Sequence, residues 1–257
     1  VSPAIDALSP ENKLLFVTGP LTGTPTPTGG RYMVVPKSPL TGTIASSNSG
    51  GYWGPELKFA GYDVVIVEGK AEEPVYIMIE NDKIEFRSAQ HLWGKVVSET
   101  TKALEAETPE KSRILTIGPA GENLSYMAAV MNDYARAAGR SGVGAVMGSK
   151  NLKAIVVRGT QKVTVAEPDQ LKQVVKECNK KIKENGVTGQ GLPAYGTAVL
   201  VNIINENGVF PTNNFQKSQF DRAEEVSGEE LAEKYLVKKD PCYRCPIACG
   251  RYCKVDD

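Results

Sequence analysis

Four of the five cysteines lie close together near the end of this 257-residue chain, which restricts how its last part can fold. The segment contains Cys242, Cys245 and Cys249, with Cys253 four residues further on. An exported disulfide scaffold would spread its cysteines over the fold, whereas thiolates at such short spacing are typical of metal sites in a reducing compartment. The clustering therefore predicts a metal centre and a cytoplasmic location.

Three thiolates in C-x2-C-x3-C spacing suit an iron–sulfur cluster, and Pro241 and Pro246 keep the loop out of a helix. The same thiolates also suit Zn²⁺, so a zinc-binding module stays open, as does simple packing of the thiols. Cys253 either completes a four-cysteine site or leaves the fourth position to sequence further on. Cys178 lies on the apolar face of a predicted helix, which favours core packing.

The charge balance excludes some classes of partner. Thirty Lys and Arg residues match thirty Asp and Glu residues, so no net field attracts nucleic acid or an anionic membrane. Apolar runs such as 14–17 and 126–131 are too short to cross a bilayer. The chain opens on Val1 in a turn-like segment and stops soon after the cysteines, and we interpret both ends as cuts in a longer protein.

The first part of the chain is predicted to be rich in β-structure. Short apolar runs between Gly, Pro, Asn and Ser are typical of strands. The predicted strands are 13–17, 31–35, 63–67, 75–79, 83–86, 114–117 and 153–157. Asn81 and Asp82 predict a hairpin turn between the fourth and fifth of these. Apolar residues at helical spacing predict helices over 97–106 and 124–135.

The composition changes after Val165 to a segment rich in Lys and Glu. Apolar residues at helical spacing predict an amphipathic helix over 167–185 and further helices over 197–206 and 224–236. The sequence therefore predicts an α+β protein. A β-rich domain over residues 1–164 is followed by the beginning of a helical domain over residues 165–257.

A short repeat links two parts of the β-rich domain. Residues 14–20, which end in Gly-Pro, are echoed by residues 113–119. Gly30-Arg31 follows the first copy, and Arg136 with Gly139-Arg140 follows the second. The loop over 22–31 combines a flexible backbone with a guanidinium group. It either presents N–H groups and positive charge to a phosphate or a planar heterocycle, or it is a strained surface turn.

Other polar and glycine-rich segments allow more than one interpretation. Asn48 lies among serines and glycines and offers an oxygen to a hard cation such as Mg²⁺. The glycines of 142–148 resemble a dinucleotide fingerprint, but no apolar strand precedes them, so close backbone packing or an anionic-cofactor cradle fits better. His91 is the sole histidine and has no acid or nucleophile motif beside it, which favours a structural role.

Several of these segments, taken in order, resemble the tungsten-containing aldehyde:ferredoxin oxidoreductase family. The resemblance extends over nearly the whole chain. The similar segments are 21–24, 27–31, 37–42, 48–51, 56–63, 67–70, 117–123, 136–140, 142–154, 195–198 and 205–208.

The resemblance implies an N-terminal domain of two β-sheets related by a pseudo-two-fold axis, which forms a base under two pterins. Members of the family hold tungsten between the dithiolenes of these pterins (tungstopterin, with molybdenum as the other metal), with Mg²⁺ bridging the pterin phosphates and a [4Fe–4S] cluster nearby. They oxidise aldehydes to carboxylic acids and pass electrons through the cluster to ferredoxin. Homodimers are common among them.

The resemblance also implies roles for particular residues. One side of the pterin site is expected to be formed by Arg31, Asn48 and Gly50. The other side is expected to be formed by Arg136, Ala137, Gly139 and Arg140. The Asn48 side chain and the carbonyl oxygen of Ala137 are expected to help hold Mg²⁺.

Cys242, Cys245 and Cys249 match three cluster ligands of the family. The fourth ligand of the family lies further downstream, which makes Cys253 a bystander, and the acid–base groups beside the metal are also expected beyond Asp257. Residues 1–257 alone are therefore expected to be inactive and to lack the cofactor. Two alternatives stay open, namely another branch of the family, acting on a phosphorylated aldehyde or as a reductive subunit, and a non-enzymatic zinc-binding module.

Overall fold

A computed structural model describes residues 2–255 of the chain. The chain divides after Ala166 into two compact units. The first unit contains two β-sheets with short helices, and the second is mainly helical with one small sheet. The predicted α+β fold is therefore confirmed.

The first sheet contains four antiparallel strands in the order β3-β2-β1-β4. They are β1 (Leu14–Thr18), β2 (Tyr32–Val35), β3 (Ser47–Ser49) and β4 (Val64–Val67). Helix α1 (Trp53–Phe59) connects β3 to β4. Leu14 and Phe16 alternate along β1 and are fully buried, so one face of this sheet lines the core.

The second sheet contains six strands in the order β6-β5-β10-β7-β8-β9. They are β5 (Val75–Glu80), β6 (Lys83–Ser88), β7 (Arg113–Thr116), β8 (Val130–Asn132), β9 (Arg136–Ala138) and β10 (Leu152–Arg158). Strands β5 and β10 are parallel, and the other neighbouring pairs are antiparallel. The helices beside this sheet are α2 (Val97–Glu107), α3 (Pro119–Glu122) and α4 (Val143–Ser149).

The two sheets share a topology, which gives structural meaning to the short sequence repeat. The series β1-β2-β3-α1-β4 is matched by β7-β8-β9-α4-β10, and the strand order β3-β2-β1-β4 is matched by β9-β8-β7-β10. Strands β1 and β7, which carry the repeated residues, occupy equivalent positions. The two related sheets that we expected are therefore present, although the second sheet has two additional strands, β5 and β6, beside β10.

Trp53 connects the sheets through the core of the first unit. Its ring centroid lies 4.9 Å from that of Tyr32 and 5.7 Å from that of Phe16. The indole N–H donates to the carbonyl oxygen of Ile155 on β10 at 3.1 Å, so the one polar atom of this buried side chain is satisfied. Strand β10 is buried along nearly its whole length, as expected for a central strand covered on both faces.

The predicted helix over 124–135 is wrong. This segment forms a turn, strand β8 and the beginning of a tight turn into β9. Leu124, Asp133 and Tyr134 have positive φ angles, which an α-helix does not allow. The helical spacing of the apolar residues is overridden here because β8 completes the second sheet by pairing with β7.

The second unit begins with the predicted amphipathic helix, α5 (Pro168–Glu184). The later elements are a π-helical turn (Gly186–Gly191), α6 (Leu192–Tyr195), a 3-10 turn (Gly196–Val199), α7 (Leu200–Glu206), a 3-10 turn (Ala223–Val226), α8 (Gly228–Lys234), β11 (Leu236–Lys239) and β12 (Arg251–Cys253). The helix predicted over 224–236 is therefore shorter, because Ser227 caps α8 by accepting from Glu230 N–H at 3.1 Å. Within residues 2–255, no helix combines the length and the apolar character needed to cross a membrane.

Candidate cofactor site

Arg31 and Asn48 lie side by side at the edge of the first sheet. Arg31 directly precedes β2, and Asn48 is the middle residue of β3. The Nε–H of Arg31 donates to Asn48 Oδ1, and Asn48 Nδ2 donates to Met33 Sδ at 3.1 Å. Both residues line a cavity of about 330 Å³ with residues 17–22 and 28–29. Arg31 is exposed and Asn48 is half-buried, so this pair can meet a ligand.

The second predicted group of residues lies on and just after β9, at the edge of the second sheet. Arg136 is half-buried, whereas Ala137, Gly139 and Arg140 are exposed. Ala137 pairs with Met131 on β8. A Cβ added to Gly139 would lie 3.7 Å from the Ala137 side chain, an ordinary contact, so packing does not require a glycine there.

Strands β3 and β9 lie against each other, which brings the two predicted groups together. We call this junction of Ser47, Ser49 and Tyr32 with Asn132 and residues 136–140 the seam. Across it, the main-chain N–H of Arg140 donates to Ser47 Oγ at 3.1 Å. Segments that are 93 residues apart in sequence therefore form one surface.

The alternation of side chains along β3 separates two roles. Ser47 and Ser49 are buried, and the half-buried Asn48 lies between them. Since successive side chains of a strand point to opposite faces, the two serines face the seam and Asn48 faces away from it. The guanidinium-bearing residues Arg31, Arg136 and Arg140 border the same region, and guanidinium groups bind phosphates well.

Asn132 of β8 is 1% exposed and lies in the middle of the seam. Its Nδ2 donates to Tyr32 Oη at 2.7 Å and to Ser49 Oγ at 3.1 Å. Burial raises the pKa of Tyr32 well above its usual value, so this phenol stays protonated. The Oδ1 atom of Asn132 is buried without a hydrogen-bond partner among residues 2–255.

Gly51 allows the main chain to approach the turn between β8 and β9. Its φ is +90°, and an added Cβ would overlap Asn132 Oδ1 and lie 2.6 Å from Asp133 Oδ2. The same Asp133 oxygen accepts from the Tyr52 N–H at 2.6 Å. Asp133 Oδ1 lies 3.5 Å from Arg113 Nη1, and the Arg113 guanidinium lies 4.6 Å above the Tyr52 ring. The residues next to the seam are therefore fixed by charge as well as by hydrogen bonds.

The predicted cluster ligands lie in the loop that joins β11 to β12 in the second unit. Cys242, Cys245 and Cys249 are free thiols and half-buried, whereas Cys253 is exposed at the end of β12. The N–H of Cys245 donates to the carbonyl oxygen of Cys242 at 3.1 Å, which closes a turn between the first two thiols. Arg244, at +50°, has a positive φ angle.

Arg251 fixes the other side of this loop. Its Nη2 donates to the carbonyl oxygens of Leu192 at 2.8 Å and Pro193 at 2.7 Å, and its Nη1 donates to that of Ala248 at 3.1 Å. The guanidinium therefore connects the cysteine loop to α6. A loop held in this way can keep thiolates in a fixed arrangement.

Among the described residues, no group of three or more His, Cys, Asp or Glu side chains converges as a single metal ion would require. In a four-iron cluster, by contrast, each thiolate binds a different iron atom. The donor set in the loop consists of soft thiolates, which suit iron–sulfur chemistry. At the border of the seam, the amide oxygen of Asn48 and the carbonyl oxygen of Ala137 are hard ligands, which suit Mg²⁺. The residues present therefore fit both groups chemically.

His91 and Cys178 lie outside both groups. His91 is exposed, and its Nε2 lies 3.2 Å from Glu107 Oε2 on the surface. Cys178 is a half-buried residue of α5. Neither contacts a predicted site residue in the described hydrogen bonds.

Comparison with protein families assigns both parts of the chain. Residues 1–159 match the model for "Aldehyde ferredoxin oxidoreductase, N-terminal domain", and residues 173–257 match that for "Aldehyde ferredoxin oxidoreductase, domains 2 & 3". The chain belongs to the aldehyde ferredoxin oxidoreductase family. It is thus part of an oxidoreductase family, as the motifs predict.

Two relatives in this family carry the same name. The chain is 61% identical over 252 residues to the tungsten-containing aldehyde ferredoxin oxidoreductase of Pyrococcus abyssi, covering 98% of the chain and 42% of that relative. It is 59% identical over 256 residues to the one of Thermococcus kodakarensis, covering 99% and 42%. The chain therefore spans about two fifths of the length of these relatives.

A solved structure in the comparison has the same fold. It is the active site complex BamBC of benzoyl coenzyme A reductase in complex with 1,5-dienoyl-CoA, with a TM-score of 0.85 and 35% identity. The match covers all of this chain and 41% of that one.

The motifs predict site roles for Arg31, Asn48 and residues 136–140, but none for the polar residues between them. Ser49 lies in the similar segment 48–51 without a predicted role of its own, and Ser47 and Asn132 lie outside the similar segments. One pattern that points to the serines is the polar triplet of residues 47–49, which is unusual in a strand of a sheet that is otherwise apolar. Asn132 was placed in a helix, so its partners on β2 and β3 were not foreseeable.

Proposed function

We propose that the protein is a tungsten-dependent oxidoreductase that converts aldehydes to carboxylic acids and passes the electrons to ferredoxin. In this proposal, residues 2–166 supply one face of a bis-pterin site, and the cysteine loop supplies three ligands of a [4Fe–4S] cluster. The observation that carries the proposal is the seam, where β3, which carries Asn48 beside Arg31, meets β9 and the Arg140 N–H donates to Ser47 Oγ.

Arg31 and Asn48, which border the seam, would bind and orient the cofactor together with residues 136–140. The bound tungsten–pterin group would supply the two-electron chemistry that turns an aldehyde and water into a carboxylate. Arg31, Arg136 and Arg140 would neutralise the pterin phosphates, and the oxygens of Asn48 and Ala137 would bind the Mg²⁺ between them. Gly50 lies buried directly after β3. There it would let the main chain come close to a bound pterin.

Cys242, Cys245 and Cys249 would bind three irons of the cluster, and a fourth ligand outside the described motif would complete it. The three thiols are free and half-buried, so they are available to bind a cluster. Electrons could then reach a soluble acceptor. A cytoplasmic location agrees with free cysteines and with the named acceptor, ferredoxin.

Elemental analysis of the purified native protein tests the proposal. We expect tungsten or molybdenum together with iron, and a fluorescent pterin after oxidative denaturation. Aldehyde-dependent reduction of ferredoxin should accompany these components. Zinc without tungsten, molybdenum or iron would contradict the proposal and support a zinc-binding module.

Paired cysteine variants test the ligand assignment. Cys249→Ser should abolish the visible iron–sulfur absorbance of the anaerobic protein, because a cluster ligand is lost. Cys253→Ser should leave the absorbance almost unchanged, because the Cys253 thiol is exposed on β12 and serves as the matched control. Loss of absorbance in both variants to the same extent would place Cys253 in the ligand set.

Other branches of the family are the second candidate. Identity of 61% to a relative named for aldehyde oxidation exceeds the 35% to the benzoyl coenzyme A reductase complex, which favours aldehyde oxidation over reduction of an aromatic thioester. A substrate screen with unphosphorylated aldehydes, phosphorylated aldehydes and aromatic thioesters separates the branches. The preferred substrate is the one with the highest kcat/KM.

Sedimentation of the same preparation tests the expected homodimer.

A further inference from the structure

Asn132 is a buried side chain that connects the two halves of the proposed cofactor site. Its amide donates to Tyr32 Oη at 2.7 Å and to Ser49 Oγ at 3.1 Å, although Tyr32 lies 100 residues earlier in the sequence. The residue is 1% exposed, and Tyr32 is also fully buried. A buried polar group that bridges two sheets in this way fixes their relative position, because breaking its bonds would leave donors unsatisfied.

Each partner of Asn132 is next to a residue of the proposed site. Ser49 directly follows Asn48 on β3, and Tyr32 directly follows Arg31 at the start of β2. On its own sheet, Asn132 pairs with Arg136 in the β8–β9 register. A shift of the Asn132 side chain would therefore move Asn48 and Arg31 relative to Arg136.

The surroundings of Asn132 leave no room for a different arrangement of these hydrogen bonds. The main chain at Gly51 approaches so closely that an added Cβ would overlap Asn132 Oδ1. Burial raises the pKa of Tyr32 and keeps its phenol neutral, so the hydroxyl stays available for hydrogen bonding at ordinary pH. The Oδ1 atom has no partner within the described part of the chain, so the bonds made by Nδ2 hold the amide in the seam.

From these contacts we propose that Asn132 is a positioning residue. The proposal rests on the proposed function, because it takes a pterin as the ligand. It sets the spacing between Arg31 with Asn48 and Arg136 with Arg140, and so controls how tightly a phosphate-bearing pterin is held. It does not touch the pterin itself. Its effect therefore appears in retention of the cofactor rather than in recognition of the aldehyde.

The test compares the native holoprotein with Asn132→Ala. We expect the rate of pterin and tungsten loss during dialysis to rise by about tenfold or more. Losses of this size are typical when a residue that hydrogen-bonds to ligand-binding residues is removed. Hydrogen exchange of the Arg140 N–H, which bonds Ser47 Oγ, should also become faster. The KM for the aldehyde should change little in the fraction that keeps its cofactor.

Three further variants make the result specific. Leu104 lies in a separate core cluster, so Leu104→Ala lowers stability without changing the seam. When each variant is dialysed at the same number of degrees below its own melting temperature, Leu104→Ala should not speed pterin loss. Asn123→Ala removes an exposed amide that bonds only its own helix and should have no effect. Ser49→Ala removes one acceptor of the Asn132 amide and replaces Asn132→Ala in the test if that variant does not fold. It should also speed cofactor loss, but by a smaller factor.

The outcomes separate the inference from the proposed function. Wild-type protein without pterin and tungsten would overturn the proposed function and the inference with it. Wild-type protein that holds the cofactor, with Asn132→Ala and Ser49→Ala losing it no faster than Leu104→Ala, would overturn the inference alone. Faster loss in the seam variants only, with faster Arg140 exchange, supports both.

Discussion

Single residues decide how closely the two sheets approach each other. Gly51 is the clearest example. Its φ is +90°, and any Cβ would overlap Asn132 Oδ1, so both features disfavour every other residue type at this position. Asn132, Asp133 and Tyr52 then use the short distance for hydrogen bonds. Substituting Gly51 therefore tests both backbone strain and steric overlap.

We predict that Gly51→Ala destabilises the protein more than Gly42→Ala does. Gly42 also has a positive φ, +70°, but an added Cβ there would meet nothing within 4 Å. The control should lose about 1–2 kcal/mol from backbone strain alone. Gly51→Ala should lose about 1–3 kcal/mol more from overpacking. Urea unfolding of both variants measures the difference, and equal losses would contradict the geometry of the seam.

Tyr134, at the turn between β8 and β9, should make stability depend on pH in the alkaline range. Tyr134 is 45% exposed, and partial desolvation of its phenol, with its 2.5 Å hydrogen bond to Glu105, raises the pKa of Tyr134 from 10.0 to about 12. The folded state therefore keeps a proton that the unfolded state loses above pH 10. The free energy of unfolding should fall as the pH rises from 10 to about 12.

Tyr134→Phe should reduce this slope, because the proton that Tyr134 retains in the folded state is then absent, whereas the proton of Tyr32 remains. Denaturant unfolding at both ends of the interval measures it in the wild type and the variant. Glu105→Gln should give an intermediate slope, since the partial desolvation of the Tyr134 phenol remains. An identical slope in the wild type and Tyr134→Phe would contradict the assignment.

At the scale of elements, the repeated topology leaves the two sheets with different edges. Strand β10 is covered by β5, whereas its counterpart β4 pairs with β1 and has no second neighbour among the described residues. Val64 and Ile66 of β4, and Ile84 and Phe86 of β6, are exposed, and all four line a cavity of about 420 Å³. An exposed apolar edge strand of this kind favours association with other strands.

We predict that Ile66→Lys reduces self-association of residues 1–257. A lysine on an edge strand opposes strand pairing through its charge and its hydration. Light scattering over a concentration series measures the effect. Ile203→Lys, a similarly exposed isoleucine on α7, is the control and should leave the scattering unchanged. Equal effects of both substitutions would indicate general solubility rather than edge pairing.

At the scale of the whole molecule, the apolar core is divided unequally. Of the buried apolar side chains among residues 2–255, Ala223 is the one that belongs to the second unit. The first unit contains a continuous core that includes Phe16, Trp53 and Ile155. Since burial of apolar surface is the main favourable term in folding, the units should differ in independent stability.

We predict that residues 1–166 fold cooperatively when expressed alone, whereas residues 167–257 do not. Near-UV circular dichroism during heating measures this, because the environments of Trp53 and Tyr32 report the core. The first fragment should show a sharp transition with a native-like spectrum. A sharp transition in the second fragment, or none in the first, would contradict the unequal division of the core.

Much of the fold could be predicted because it depends on local patterns. The strands at 14–18, 32–35, 64–67 and 75–80 follow from short apolar runs bounded by turn residues, and α5 follows from apolar residues at helical spacing. The family resemblance rests on contiguous motifs for the same reason. Within the candidate site, Arg31, Asn48, residues 136–140 and the three closely spaced cysteines all lie in such motifs.

The sequence by itself determined most of the longer strands, the long helix α5, the fold class and the chemical types of ligand that this protein offers. Only the tertiary structure decided that β8 replaces a predicted helix, that β3 meets β9, and that Asn132 reaches Tyr32 and Ser49. The periodicity of apolar residues predicts which face of a local helix or strand is buried, and it depends only on residues that are near each other in the chain. The contact between Asn132 and Tyr32 spans 100 residues, and its existence depends on how two sheets pack, which no local pattern contains.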